Sequence, residues 1–189
     1  MELHQLEEIE LEDDEAEQVT LRVPANATNL CRNKVIDFVP VKDAAYGLKL
    51  INKSGRDLYP YVFYFDNTNL SIRPFYKSIS TALEGAKVDS PLKMNGSLTI
   101  GYGAGGVNPF YFQLEPGRDM DVNFLKIFVC TAPVDFSLME QESPFVVTRG
   151  MAQKPPPKRK RNDVWDSILV PVIHRRWPQL IEPQLPSFA

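Results

Sequence analysis

The 189-residue sequence is short of the side chains on which most protein chemistry depends: it has two histidines, His4 and His174, and two cysteines, Cys31 and Cys130. A cysteine nucleophile needs an imidazole beside it. His4 falls in an acidic N-terminal segment and His174 near the other end of the chain, while Cys130 closes a predicted core strand and Cys31 sits in a connection. A thiol in such a strand behaves as a small buried hydrophobe. No spacing of His, Cys and carboxylates suits a metal. These shortages argue against an enzyme and imply no cofactor. With so few cysteines and no apolar N-terminal stretch to act as a secretion signal, free thiols in a reducing compartment are expected, cytoplasmic or nuclear. No apolar run approaches the roughly 20 residues that cross a bilayer, which excludes a membrane span.

Positive charge is missing from Met1 to Glu17, which holds nine of the 24 acidic residues and no Lys or Arg. Beyond Thr148 the balance reverses, with eight basic and three acidic residues, and the stretch between is near neutral. So acidic a segment predicts a solvated, disordered arm over 1–17. A near-neutral body lacks the basic footprint of a nucleic-acid binder.

Long helical periodicity is also lacking, and a period of two takes its place. Val19, Leu21 and Val23 alternate with polar residues, as do Ile36 and Phe38 around Asp37. Further strands are predicted over Tyr46–Ile51, Leu58–Phe65, Leu70–Tyr76, Leu98–Tyr102, Phe110–Leu114 and Phe124–Cys130. Leu58–Phe65 (LYPYVFYF) is apolar in both alternating sets, as in a strand buried on both faces, with Pro60 placed near its start. Tyr59, Tyr61, Phe63, Tyr64 and Phe65 are read as core rather than as a stacking platform. Turn chemistry separates the strands: NKSGRD at 52–57, Asp66–Asn69, EPGRD at 115–119, and Asn95-Gly96, the best hairpin signal in the chain. Asp119 and Asp121 are read as solvated turn residues, and the four N-x-S/T sites at Asn26, Asn52, Asn69 and Asn95 as loop and turn positions. About eight short strands predict an all-β fold, an antiparallel β-sandwich over 18–148.

After Thr148 a Pro-rich basic linker (149–163) carries KRKR at Lys158, Arg159, Lys160 and Arg161, a candidate import signal or an ordinary solvated linker. In the tail, 164–189, Trp165, Ile168, Leu169, Val172 and Ile173 share one helical face that Pro171 interrupts, so either a bent docking segment or a late strand is expected. Gly101 to Gly106 (GYGAGG) has the glycine spacing of a dinucleotide loop, but a strand pattern and Pro109 follow where a helix would be required. It is read as a wide turn. Tyr102, Gly103, Gly105 and Gly106 form a candidate ligand rim if the chain is a small-ligand-binding sandwich.

YGLKLINKSGRDLYPYVFYFD at 46–66, Pro91-Leu92, IGYGAGGVNPFYF at 100–112, DVNFLKIF at 121–128, QESPF at 141–145 and Trp165-Asp166 occur in an order that resembles the region following the caspase-like (metacaspase-like) peptidase domain in proteins of mushroom-forming fungi. The resemblance spans about two thirds of the chain. It implies a β-rich accessory domain whose partner would be a protein, a caspase-like peptidase in particular. Nothing here matches that peptidase's histidine and cysteine segments, so no catalytic residue carries over, and the chain is expected to be a stand-alone accessory domain or a fragment without its catalytic part.

Overall fold

The computed structural model of the chain describes residues 1–12, 18–78, 89–103, 107–146 and 164–176. They are mostly β: eleven strands, with a 3₁₀ turn at Ser137–Met139 and no α-helix among them. In chain order the strands are β1 (Glu2–Glu12), β2 (Gln18–Pro24), β3 (Cys31–Arg32), β4 (Val35–Phe38), β5 (Ala45–Ile51), β6 (Tyr59–Asp66), β7 (Ser71–Lys77), β8 (Ser97–Ile100), β9 (Phe110–Tyr111), β10 (Met120–Cys130) and β11 (Trp165–Arg175). All eight stretches with period-two alternation hold a strand. Of the additional three, β1 and β3 come from segments whose sequence reads otherwise, and β11 is the late strand, one of the two alternatives for the tail.

The strands form two sheets and no barrel. One has the order β2-β1-β5-β8, with β9 also on β5; the other runs β3-β4-β11-β10-β6-β7. Pairing is antiparallel except between β11 and β4, where Val172 to His174 run parallel to Ile36 to Phe38. The expected wholly antiparallel arrangement is corrected there. Pro171 has no N–H, and the ladder to β4 begins one residue beyond it.

The main core draws on both sheets. Leu3, Leu48 and Ile100 from the first meet Ile36, Val62 and Val172 from the second, all fully buried. β6 is buried on its other face as well: Tyr59, Tyr61 and Phe63 turn away from the main core into a second cluster with Phe128, Phe136 and Cys130. The segment after β10 covers this cluster, holding Phe136 4.6 Å from the Tyr61 ring while the Val134 N–H donates to the Tyr61 hydroxyl at 2.8 Å. The all-apolar composition of Leu58–Phe65 thus has its cause, a strand with a packed layer on each side.

One terminal expectation changes, and one left open is decided. Glu2–Glu12 is a strand rather than a disordered arm: Leu3 fills the core, Glu2–Gln5 pair with β5 and Leu6–Glu12 with β2. Burial of Leu3 and Leu6 and two ladders offset the charge repulsion that composition alone suggests. The tail strand β11 lies at the centre of the second sheet, paired over eleven residues with β10. Residues 13–17, the whole 149–163 linker and 177–189 lie outside the described residues.

The turns behave as their chemistry predicts, with two exceptions. Asp66 accepts from the Thr68 and Asn69 N–H groups in the β6–β7 turn, and Gly117 takes φ +82° between Glu115 and Asp119. Asn95 and Gly96 do sit in a turn, but β8, which follows, pairs with β5 and not with a preceding neighbour. The second exception is Asn52, which is buried. Its amide donates to the carbonyls of Arg56 (2.7 Å), Leu92 (3.3 Å) and Lys93 (3.0 Å), and its oxygen accepts from the Ser54 N–H (2.9 Å). It joins two loops as a hydrogen-bonded hub. Asn52→Ala strands those carbonyls, and we expect a loss of about 2 kcal/mol in urea unfolding, against a few tenths for Lys53→Ala at the exposed neighbouring position.

Candidate functional site

The eleven-residue ladder of β10 with β11 sends alternate side chains to opposite faces. Leu125, Ile127, Val170 and Val172 enter the main core. On the other face, directly opposed pairs include Lys126 with Leu169, Phe124 with Pro171, and Val122 with Ile173. The β6 side of this face lies under Phe136 and its neighbours. The β11 side is open among the described residues: Leu169 is 49% and Val122 36% exposed, and Phe124, Pro171 and Ile173 are half-buried. Lys126 reaches over the Phe128 ring at 5.4 Å. At one end Arg175 grips Asp37 of β4 with two hydrogen bonds, Nε to Oδ1 at 2.7 Å and Nη2 to Oδ2 at 2.9 Å, and this holds the Asp37 carboxyl below its usual range. The result is an apolar sheet face with one cation, Lys126, that makes no ion pair among the described residues.

Strand geometry splits the docking residues expected in the tail. Val172 is fully buried and Ile168 packs against the same core, whereas Trp165, Leu169 and Ile173 face outward. The helical stripe does not exist, because period two places positions 165, 169 and 173 on one face and 168 and 172 on the other.

Tyr102 of the candidate rim is half-buried, and its ring lies over Gly47 of β5 where any Cβ would stand. The absence of a side chain at Gly47 thereby makes room for the ring, and a Cβ there would also crowd Leu6. Burial raises the Tyr102 phenol, with the Glu2 carboxylate adding to the effect. Tyr102 is thus a cover on the first sheet and does not line an open rim. Gly103 is exposed at φ +68°, and Gly105 and Gly106 lie outside the described residues, as does the cluster Lys158 to Arg161. A shallow cleft elsewhere is lined by Asn29, Leu30, Arg32, Val35 and Asp37, whose carboxylate Arg175 already holds.

Neither histidine meets a cysteine. The His4 ring bonds to the Thr28 carbonyl at 2.9 Å through Nδ1 and to Glu2 at 3.2 Å through Nε2. His174 is only 1% exposed, both ring nitrogens are buried without a partner, and Phe38 and Phe112 flank it at 5.4 and 5.1 Å. Burial lowers its pKa to about 4, against the opposing pull of Asp121 and Asp66. Asp121, expected in solvent, is 5% exposed and ion-paired with Arg118 at 2.9 Å. Of the thiols, burial raises the pKa of Cys31, which is half-buried, Cys130 is buried, and neither is in a disulfide. Among the described residues no three His, Cys, Asp or Glu side chains converge on a cation position, and no helix is long and apolar enough to cross a membrane.

The β10–β11 face was only half legible. Phe124 to Cys130 reads as a strand, but nothing local shows that β11 completes the surface. No protein-family model, curated protein or solved structure matches this chain.

Proposed function

We propose that the chain is a non-catalytic protein-interaction domain whose two sheets are the halves of a β-sandwich, and that it binds protein through the open β10–β11 face. One observation carries the reading: Leu169, Val122, Phe124, Pro171 and Ile173 form a contiguous apolar surface on a rigid central pair of strands. Apolar patches rimmed by polar residues mark interaction sites, and sheet faces fixed on both edges by hydrogen bonding bind without much ordering cost. The resemblance to the region after fungal caspase-like peptidase domains supports a caspase-like peptidase as one partner, with the present chain acting as accessory.

The test is binding of the purified chain to such a peptidase, with Leu169→Asp as the probe. Leu169 is half exposed, so the substitution should leave the thermal midpoint almost unchanged. It should weaken association about 100-fold or more, because a charge is desolvated within the patch. Equal capture by both forms would remove the β10–β11 face from consideration.

A further inference from the structure

The hairpin of β1 and β2 has a use that the fold itself does not explain. Among the described residues β1 pairs only with β2 from Leu6 outward, and β2 pairs with no other strand. Opposed residues of an antiparallel pair share a face. One face of this arm carries three rungs, Glu7 with Val23, Ile9 with Leu21, and Leu11 with Val19. Leu11 is 47% and Leu21 40% exposed. The other face holds the ion pair of Arg22 with Glu8 at 2.8 Å and the pair Glu10 with Thr20. A two-stranded ribbon with one bare apolar face is marginal in water by itself.

Resting on the reading of β10–β11 as a protein-binding face, we infer that its occupant is the β1–β2 arm of a second copy of this chain. The two surfaces match in pattern. Each has three rungs of two residues, repeating about every 7 Å along the strands, and each has apolar side chains except for one charge at one end. On the arm that charge is Glu7, and on the β10–β11 face it is Lys126; neither makes an ion pair among the described residues. Laid across the face as an added layer, the arm can set Glu7 on Lys126 while Ile9, Leu21, Leu11 and Val19 cover Phe124, Pro171, Val122 and Ile173.

Charge disfavours the simpler symmetric arrangement. Two arms packed on each other by their apolar faces would bring together two ribbons of net negative charge, each with Glu7 on the packed face and Glu8 and Glu10 on the outer face against a single Arg22. Like-charge juxtaposition disfavours that pairing. The contact is therefore head-to-tail: every copy offers one arm and one face, so subunits add into a ring or an open chain.

Complementary variants test this. Light scattering on the eluted full-length chain should give a mass of several copies, decreasing as salt screens Glu7 and Lys126. An arm variant, Leu11→Asp with Leu21→Asp, and the face variant Leu169→Asp should each be monomeric with unchanged circular dichroism. Mixed in equal amounts they should form a heterodimer and nothing larger, since one intact arm meets one intact face. A wild-type chain that stays monomeric at its highest soluble concentration would overturn the self-assembly, as would oligomers that survive Leu169→Asp. If that monomer still binds the peptidase and loses it on Leu169→Asp, the protein-binding face stands and only the second copy falls.

Discussion

A chain ended at Asp163 is expected to lose its cooperative unfolding transition altogether. β11 lies between β10 and β4, so its removal takes the fully buried Val170 and Val172 from the core. It also exposes the inner edges of two strands. Roughly 1.5–3 kcal/mol for each large buried aliphatic side chain, together with an eleven-residue ladder, exceeds what a domain with a net stability of about 5–15 kcal/mol can lose. The point variant Val172→Asp should act in the same direction by placing an unpaired charge in a site that is 0% exposed. Differential scanning calorimetry and far-ultraviolet circular dichroism report both. A truncated chain that melts at the wild-type temperature would make residues 164–176 a peripheral segment and return them to the docking role that their spacing suggests. Leu169→Asp, one strand position away from the core, serves as the control that should melt normally.

The second large effect concerns pH. His174 has a folded pKa of about 4 and an ordinary value of 6.5 when the chain is unfolded. A base whose folded pKa is depressed leaves the folded state unfavoured wherever the unfolded chain binds the proton first. Stability should therefore be flat above pH 6.5, fall by about 3 kcal/mol as pH drops to 4, and level off below that as far as this group is concerned. For a domain of this size the thermal midpoint should move down by roughly 6–12 °C across the window. Four groups bear on the ring from the elements around it: Phe38 and Phe112 exclude water, while Asp121 and Asp66 attract the proton without overcoming burial. His174→Leu removes an imidazole whose two nitrogens are both unpaired. It should flatten the profile between pH 6.5 and 4 and leave the protein at least as stable at pH 7. The lowered Asp37 and Glu2 carboxyls act in a different range, because their contribution is present above the unfolded carboxylate pKa near 4 and is lost only below it. Parallel decline of wild type and His174→Leu between pH 6.5 and 4 would show that another group is responsible.

What could be read from residue order alone is what depends on near neighbours. Alternation predicts strands over Tyr46–Ile51, Leu58–Phe65 and Phe124–Cys130, where β5, β6 and β10 lie, and Asp66, Asn95 and Gly117 act as turn residues because their preferences are set within three or four positions. The aromatic density of Tyr59 to Phe65 likewise identified a strand covered on both sides. Composition misjudged Glu2–Glu12, since a count of carboxylates contains no term for a ladder to β5 forty residues away. It also made a solvated turn residue of Asp121, whose burial depends on Arg118 and on its place opposite His174. Tertiary structure alone decided that the tail is a central strand, that Asn52 ties two loops together, and that an arm and a face with opposite charges stand open on one chain. Those outcomes turn on which distant segments meet, and the free energy of such meetings comes from burial and from backbone pairing that no single segment possesses.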